Sequence, residues 1–294
     1  MRMFVKDMIK SDGLLLLVAI IWGFAFVAQR SGMEVIGPFA FSGVRFALGA
    51  VSLLPVLMIQ RRREARNGFI RLSPVRRIMW AVTAGTALFI AVSLQQVGLV
   101  KTTAGNAGFI TCLYVVLVPV VGIFLGRATG LRIWIGLYIL SIGAGFQFAP
   151  GDLLEFIGAF FWAAHILVIG QVGSRVDAVE LSVGQFATCS VLSLITAVIF
   201  EPNAFAGVRP ALIPILYGGL MSTGVAYTLQ VVAQRKAHPA HASIILSMEA
   251  LFAAIGGVMF LHEPVTARLL AGGGLMLAGM LCSQLEPRKD KASS

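Results

Sequence analysis

The stretch whose reading decides the fold runs from His241 to Glu263, HASIILSMEALFAAIGGVMFLHE. As a helix rising ~1.5 Å per residue it is long enough to cross a hydrocarbon layer of ~30 Å. Glu249 sits in its middle, with eight uncharged residues before it and thirteen between it and Glu263. A carboxylate at the centre of a membrane helix costs on the order of 3 kcal/mol or more, so such a residue normally faces a cavity, a partner or a substrate path. The rest of the chain reads as the housing for this helix and for a related one in the first half.

Composition agrees. The chain has 294 residues, 58% of them hydrophobic and 12% charged, with a mean hydropathy of +0.89. Soluble domains are about 25% charged, so the chain belongs to the membrane class. Cys112, Cys189 and Cys282 fall inside apolar runs with no CxxC pair. They read as small packing residues, and no metal or cofactor is expected. The basic start MRMFVKDMIKSDG leads into an apolar run without a small-residue cleavage site, so it reads as the beginning of a first transmembrane helix and not a signal peptide.

Ten apolar segments are bounded by charge, Pro or Gly. They are Gly13 to Gln29, Pro38 to Ile59, Ile78 to Leu99, Thr102 to Leu125 and Ile133 to Ala149. The second five are Leu153 to Val172, Leu181 to Phe200, Ala211 to Val232, the opening stretch, and Arg268 to Leu285. The expected fold is an all-α membrane protein of ten transmembrane helices. Short connections make consecutive helices antiparallel neighbours and leave no room for a soluble domain.

Lys and Arg fix the orientation. With a cytoplasmic N-terminus, eighteen of the 23 basic residues fall inside, seven of them between Arg61 and Arg77. Arg30, Lys101, Arg209 and Arg268 fall outside, and Arg45 lies within a span. This asymmetry predicts both termini in the cytoplasm. The formal charge of +10 is then a topology and lipid-headgroup signal, with no nucleic acid expected as a partner.

The two halves resemble each other. At a shift of 140, Trp22 meets Trp162, and Ser42, Phe46 and Ala47 meet Ser182, Phe186 and Ala187. Nearer the end of each half, a shift of 136 brings Leu125 onto Leu261, Arg132 onto Arg268 and Gly136 onto Gly272. The domains are read as 1–150 and 151–294, five helices each. An odd number of helices inserts the second half upside down, the ground plan of secondary transporters with a midplane site between repeats.

Seven residues are candidates for lining that site. Glu249 either binds a cationic or hydrogen-bonding substrate group or a coupling proton, or is a structural acid paired with Arg45 or nearby Ser, Thr or Gln. Arg45 either snorkels or pairs, or attracts a substrate carboxylate; its repeat-mate is Gln185. Trp22 and Trp162 lie too deep for interfacial anchoring. They pack at the seam or line an aromatic-friendly cavity. Tyr114, Tyr227 and His165 are also mid-span, and a lone His is more often a hydrogen-bonded filler than a ligand. Gln95, Gln96, Asn106, Gln230 and Gln234 read mostly as helix-end caps, with one or two of them candidates to touch substrate. Pro55, Pro119 and Pro214 can kink spans, and the glycines of the eighth and tenth segments permit close packing.

What is missing excludes other classes. There is no GxxxxGK[ST] loop for an ATP-driven pump, no HExxH, and no Ser-His-Asp set for a membrane enzyme. A passive channel needs a continuous polar stripe, and the inward faces carry isolated polar residues instead.

These residues carry a resemblance. AIIWGFAFVAQRSG, FAFSGVRFALGAVSLLP with Arg45, NAGFITCLYVVLVPVVGIFLGR and ASIILSMEALFAAIGGVMFLHEPVT resemble the first, second, fourth and ninth helices of the drug/metabolite transporter superfamily, EamA type. In the ninth, a Glu is followed fourteen residues later by a second Glu. Ala250 stands where the family often has Pro, and Arg127 where its first half often has Glu. Within the superfamily the chain looks most like bacterial exporters of amino acids, aromatic ones included. The resemblance implies export of small metabolites through a central cavity open alternately to each side of the inner (plasma) membrane. Multidrug, nucleoside or nucleotide-sugar export is the alternative; a nucleotide sugar would want more basic lining than Arg45. Protons are candidate coupling ions, the bilayer is the surrounding partner, and the assembly is read as a monomer or weak homodimer. The cavity is expected between helices 1, 3, 4, 6, 8 and 9.

Overall fold

The computed structural model describes residues 2–67, 72–115, 117–118, 150–172, 176–234 and 239–265, with single positions up to 278. The fifth and tenth predicted segments, the inner part of the fourth, Pro119, Arg127 and Cys282 lie outside these residues, apart from isolated positions of the tenth. The described elements are helical. They are α1 (Arg2–Gly32), α2 (Pro38–Asn67), α3 (Pro74–Leu99), α4 (Ala104–Thr111), α5 (Asp152–Val172) and α6 (Ala178–Phe200). Then follow α7 (Leu212–Gln234), α8 (Pro239–Leu246) and α9 (Glu249–Leu261). Seven segments are long and apolar enough to cross a membrane, α8 and α9 together making the last. Their exposed faces carry large apolar residues such as Val51, Met58, Val198 and Phe200, as expected of surfaces turned to lipid.

Small residues set the packing, because lipid offers helices no hydrophobic reason to associate. A Cβ on Gly23 would come within 2.3 Å of Phe252 Cβ, so α1 lies directly on α9. A Cβ on Gly108 would lie 3.0 Å from Ala253 Cβ, which brings α4 onto the same helix. Ser190 Oγ donates to Gly43 O across α2 and α6 at 2.8 Å. The neighbours read alike from either half. α2 lies on α6 and α4 on α9, in each case a helix on its repeat-mate; the contacts of α3 with α5 and α6 match those of α7 with α1 and α2.

Two carboxylates close helix ends. Glu263 accepts from Ala104 N (2.8 Å) and Gly105 N (3.2 Å), the free N–H groups that begin α4. Glu201, just past α6, accepts from Phe39 N (2.7 Å) and Ala40 N (2.9 Å) at the start of α2. Unpaired N–H groups at a helix start attract a carboxylate by hydrogen bonding and by the helix dipole. At the opposite end Glu180 ties α2 to α3, through Arg61 at 3.0 Å and Arg77 at 2.5 Å.

The opening stretch departs from a single straight helix in two ways. It breaks in a turn at residues 247–248, between α8 and α9. Ser247 Oγ turns back onto Ile244 O (2.7 Å), competing for the backbone at the break. The helix then ends at Leu261, with His262 left-handed at φ 54° and Glu263 N donating to Gly257 O at 3.1 Å. His262 N also donates to Gly257 O, so the left-handed residue and the one after it both close onto that carbonyl. The closure turns Glu263 out of the helix and toward α4. The eighth segment also differs from a regular helix: residues Tyr217–Tyr227 are wound as a π-helix.

Candidate functional site

The break in the opening stretch has a partner. The fourth segment turns at residues 112–113, just past α4, and resumes helical at Tyr114. The two breaks lie 135 residues apart and face each other. Cys112 Sγ donates to Ser247 O at 3.1 Å, and Tyr114 Oη donates to Glu249 Oε1 at 3.0 Å. Glu249 is thus the first residue of α9, in the middle of the bundle, and is only 5% exposed. Interrupted membrane helices place free backbone groups and polar side chains at the midplane, where substrates bind in transporters.

Around Tyr114 and Glu249 lies a small cavity. Of the seven residues singled out in the sequence, Trp22, Arg45, Tyr114, Trp162, Tyr227 and Glu249 line it. Segments 1, 3, 4, 6, 8 and 9 all contribute, as expected, and the second segment adds Arg45.

Tyr227 is the centre of an aromatic group. Its ring lies 4.6 Å from Trp22, 5.7 Å from Phe186 and 6.3 Å from Trp162, the last nearly parallel at 18°. The repeat-mates Trp22 and Trp162 therefore pack on one tyrosine. Such pairs contribute about 0.5–1.5 kcal/mol each beyond burial. Trp22 Nε1 donates to Ser222 O (3.2 Å), inside the π-helical stretch. π-turns recur at functional sites because they displace carbonyls from the regular ladder.

His165 stands behind this wall and not on the cavity. Its ring meets Trp162 and Tyr227 edge-on, 6.1 Å from each, and Nε2 pairs with Gln185 Oε1 at 2.9 Å. The sequence made His165 a lining candidate; the structure makes it a buried support for the two rings that do line.

Arg45 neither snorkels nor pairs with Glu249. It is 2% exposed, and its guanidinium carbon lies 4.9 Å from the Phe46 ring centre and 5.6 Å from that of Phe41. Nε has no hydrogen-bond partner among the described residues, and Arg45 makes no ion pair among them. Gly218 makes room for it, since a Cβ there would lie 3.2 Å from Arg45 Cδ. Two aromatic faces attract the cation, but a buried charge without a counter-ion is costly.

The cavity has further polar walls that the sequence reading missed or assigned elsewhere. Gln29, Thr111 and Ser222 were not singled out, and Gln95 and Gln230 belong to the amides of which one or two were expected to touch substrate; all five line the cavity. Gln29 Oε1 and Gln230 Oε1 are buried without a donor among the described residues. Apolar segments containing an isolated Gln or Thr give no periodic signal of which way it points. Among the described residues no three His, Cys, Asp or Glu side chains gather as a metal site.

The model of the EamA-like transporter family matches the chain twice, over residues 9–148 and 149–284. An uncharacterized transporter of Archaeoglobus fulgidus is 32% identical over 279 residues, covering 92% of this chain and 84% of that protein. The threonine/homoserine exporter RhtA of Escherichia coli is 26% identical over 288 residues, covering 94% and 92%. A crystal structure with 18% identity superposes at a TM-score of 0.75 over 94% of this chain and 97% of its own, which shows a shared fold.

Proposed function

The chain belongs to the EamA-like transporter family, a membrane transporter and not an enzyme, and from that premise we propose that it exports amino acids, aromatic ones included, by alternating access. In this reading ten helices form two inverted five-helix repeats, 1–150 and 151–294, with both termini in the cytoplasm. The protein sits in the inner (plasma) membrane, and the cavity between the repeats carries the substrate. The similarity to RhtA supports an amino-acid cargo.

One observation carries the proposal. Among the described residues, a single cavity presents a buried cation with no counter-ion, Arg45, and a buried acid whose one partner is a tyrosine hydroxyl, Glu249. An amino acid is the small metabolite that offers both complementary charges. Its carboxylate suits the planar guanidinium fork, and its ammonium suits Glu249. The aromatic group at Tyr227 suits an apolar or aromatic side chain, and the unpaired Gln29 and Gln230 oxygens suit a hydroxyl. An unsatisfied buried polar atom costs ~1–3 kcal/mol, which a substrate or water must relieve.

A second reading, export of aromatic cations, draws on the rings of Trp22 and Tyr227 beside Glu249. Arg45 in the same cavity repels such cargo. The test is a flux screen of amino acids, nucleosides and cationic dyes in proteoliposomes, with and without a proton gradient. Amino-acid flux is the expected result. Dye flux without amino-acid flux would select the second reading.

A further inference from the structure

Glu155 is a buried acid that the substrate cavity does not use. It lies one helical turn into α5 and is 1% exposed. Its Oε2 accepts from Thr111 Oγ1 at 3.0 Å, and Thr111 lines the cavity. Its other oxygen, Oε1, has no hydrogen-bond partner among the described residues, and Glu155 makes no ion pair among them. One turn earlier, at the helix end, Asp152 Oδ1 accepts from Thr102 Oγ1 at 2.9 Å. Two acids on one face of α5 therefore meet two threonines of the fourth segment, and this polar seam leads from the helix end to the cavity wall.

The arrangement is not helix capping. Glu155 lies past the third position of α5, where a capping glutamate reaches back to the first free N–H, and it turns across to Thr111 instead. We propose that Glu155 is the binding site of a coupling proton, loaded along the Asp152 end of the seam and sensed in the cavity through Thr111. This rests on the transporter reading above and goes beyond it. A bare carboxylate oxygen next to one hydroxyl calls for a proton or a cation. Metal cations of the hard class surround themselves with about six or more oxygens. Among the described residues the Glu155 carboxylate is hydrogen-bonded by one hydroxyl, Thr111 Oγ1, and Gly98 packs close enough that a Cβ there would lie 3.1 Å from Oε1. One hydroxyl beside a buried carboxylate suits a proton, not a shell of about six oxygens.

The charged Lys101 adjoins Thr102 at the Asp152 end of the seam. Asp152 on its own helix is the titratable neighbour that acts on Glu155, α3 presents Gly98, and the fourth segment presents Thr111. α7 and α8 also touch α5, and the titratable His241 of α8 is paired with Asp12 at 3.1 Å. In an exporter, the proton enters on this carboxylate as the cargo leaves, and leaves it before the next cargo loads. No bond other than the O–H forms or breaks.

The test is infrared difference spectroscopy of the purified protein between acid and alkaline pH, which reads carboxyl protonation directly. The component of the protonated-carboxyl absorption that belongs to Glu155, read as the wild-type minus Glu155→Gln difference, should be present, and it should shift in Thr111→Val, which loses the hydrogen bond to Oε2. It should persist in Glu249→Gln. Identical carboxyl absorption in the wild type and in folded Glu155→Gln overturns the proposal. If that variant does not fold, an unshifted band in Thr111→Val overturns it equally. In proteoliposomes Glu155→Gln should also lose the accumulation driven by a proton gradient. Absence of amino-acid flux in the wild type would remove the cargo assignment alone, since the infrared result needs no substrate.

Discussion

Tyr114 Oη donates to Glu249 Oε1 at 3.0 Å, and the two residues stand at matching places, each the first helical residue after a break in mid-bundle. The pair joins the interrupted fourth segment to the interrupted ninth at the cavity. Removing the hydroxyl leaves the carboxylate with no described partner. Tyr114→Phe should therefore cost about 1–3 kcal/mol of stability, read as a lower midpoint in thermal unfolding. An unchanged midpoint would mean that water replaces the bond.

Arg45 governs recognition of the carboxylate in this account. Arg45→Met fills the same space without charge. It should weaken binding of amino acids by roughly tenfold or more, the worth of a charge-assisted hydrogen bond of about 1.5–3 kcal/mol. Binding of the decarboxylated amines should be retained or improved, because an unpaired buried cation is gone. Titration calorimetry of matched amino-acid and amine pairs measures the difference.

The carboxylate caps on α4 and α2 belong to the scaffold. Glu263→Ala and Glu201→Ala should each cost on the order of 0.5–2 kcal/mol, the usual worth of a helix cap. They serve different helices, so the double variant should show the sum. Thermal unfolding of the three variants checks both the size and the additivity.

Gly23 allows α1 to touch α9. Gly23→Val would drive its side chain into Phe252 Cβ and Glu249 O, which lie 2.3 Å and 2.8 Å from an added Cβ. Overpacking of this kind costs about 1–3 kcal/mol. It should also shift Trp22 and Glu249 relative to each other. Substrate affinity should therefore fall together with the unfolding midpoint.

The sequence made the spans and the main cavity residues legible because lipid imposes a simple rule on a chain: long apolar runs, with every interior charge an exception. Glu249 and Arg45 stood out as such exceptions, and Trp22 and Trp162 as repeat-mates too deep for the interface. The breaks at residues 112–113 and 247–248 were invisible, since neither contains Pro or Gly and the competing bond from Ser247 needs the folded neighbourhood. The glycines of Tyr217–Tyr227 were legible as a site of close packing, but not as π-helical winding, which depends on the backbone bonds of the folded helix. Glu263 was read as the end of a helix, whereas its use as a cap depends on a left-handed His262. His165 sits nearly on the face of Trp162, but depth behind a ring is a tertiary property that spacing does not encode.

The central claim is that Glu249 and Arg45 form the two poles of a site for a zwitterion. Its most direct test is the transport of radiolabelled L-threonine and L-phenylalanine by Glu249→Gln in proteoliposomes over a range of pH. The substitution keeps the shape and removes the charge that faces the ammonium group. Flux of both amino acids should collapse while the protein stays folded and inserted. Unchanged transport at every pH would contradict the claim and return Glu249 to a structural role.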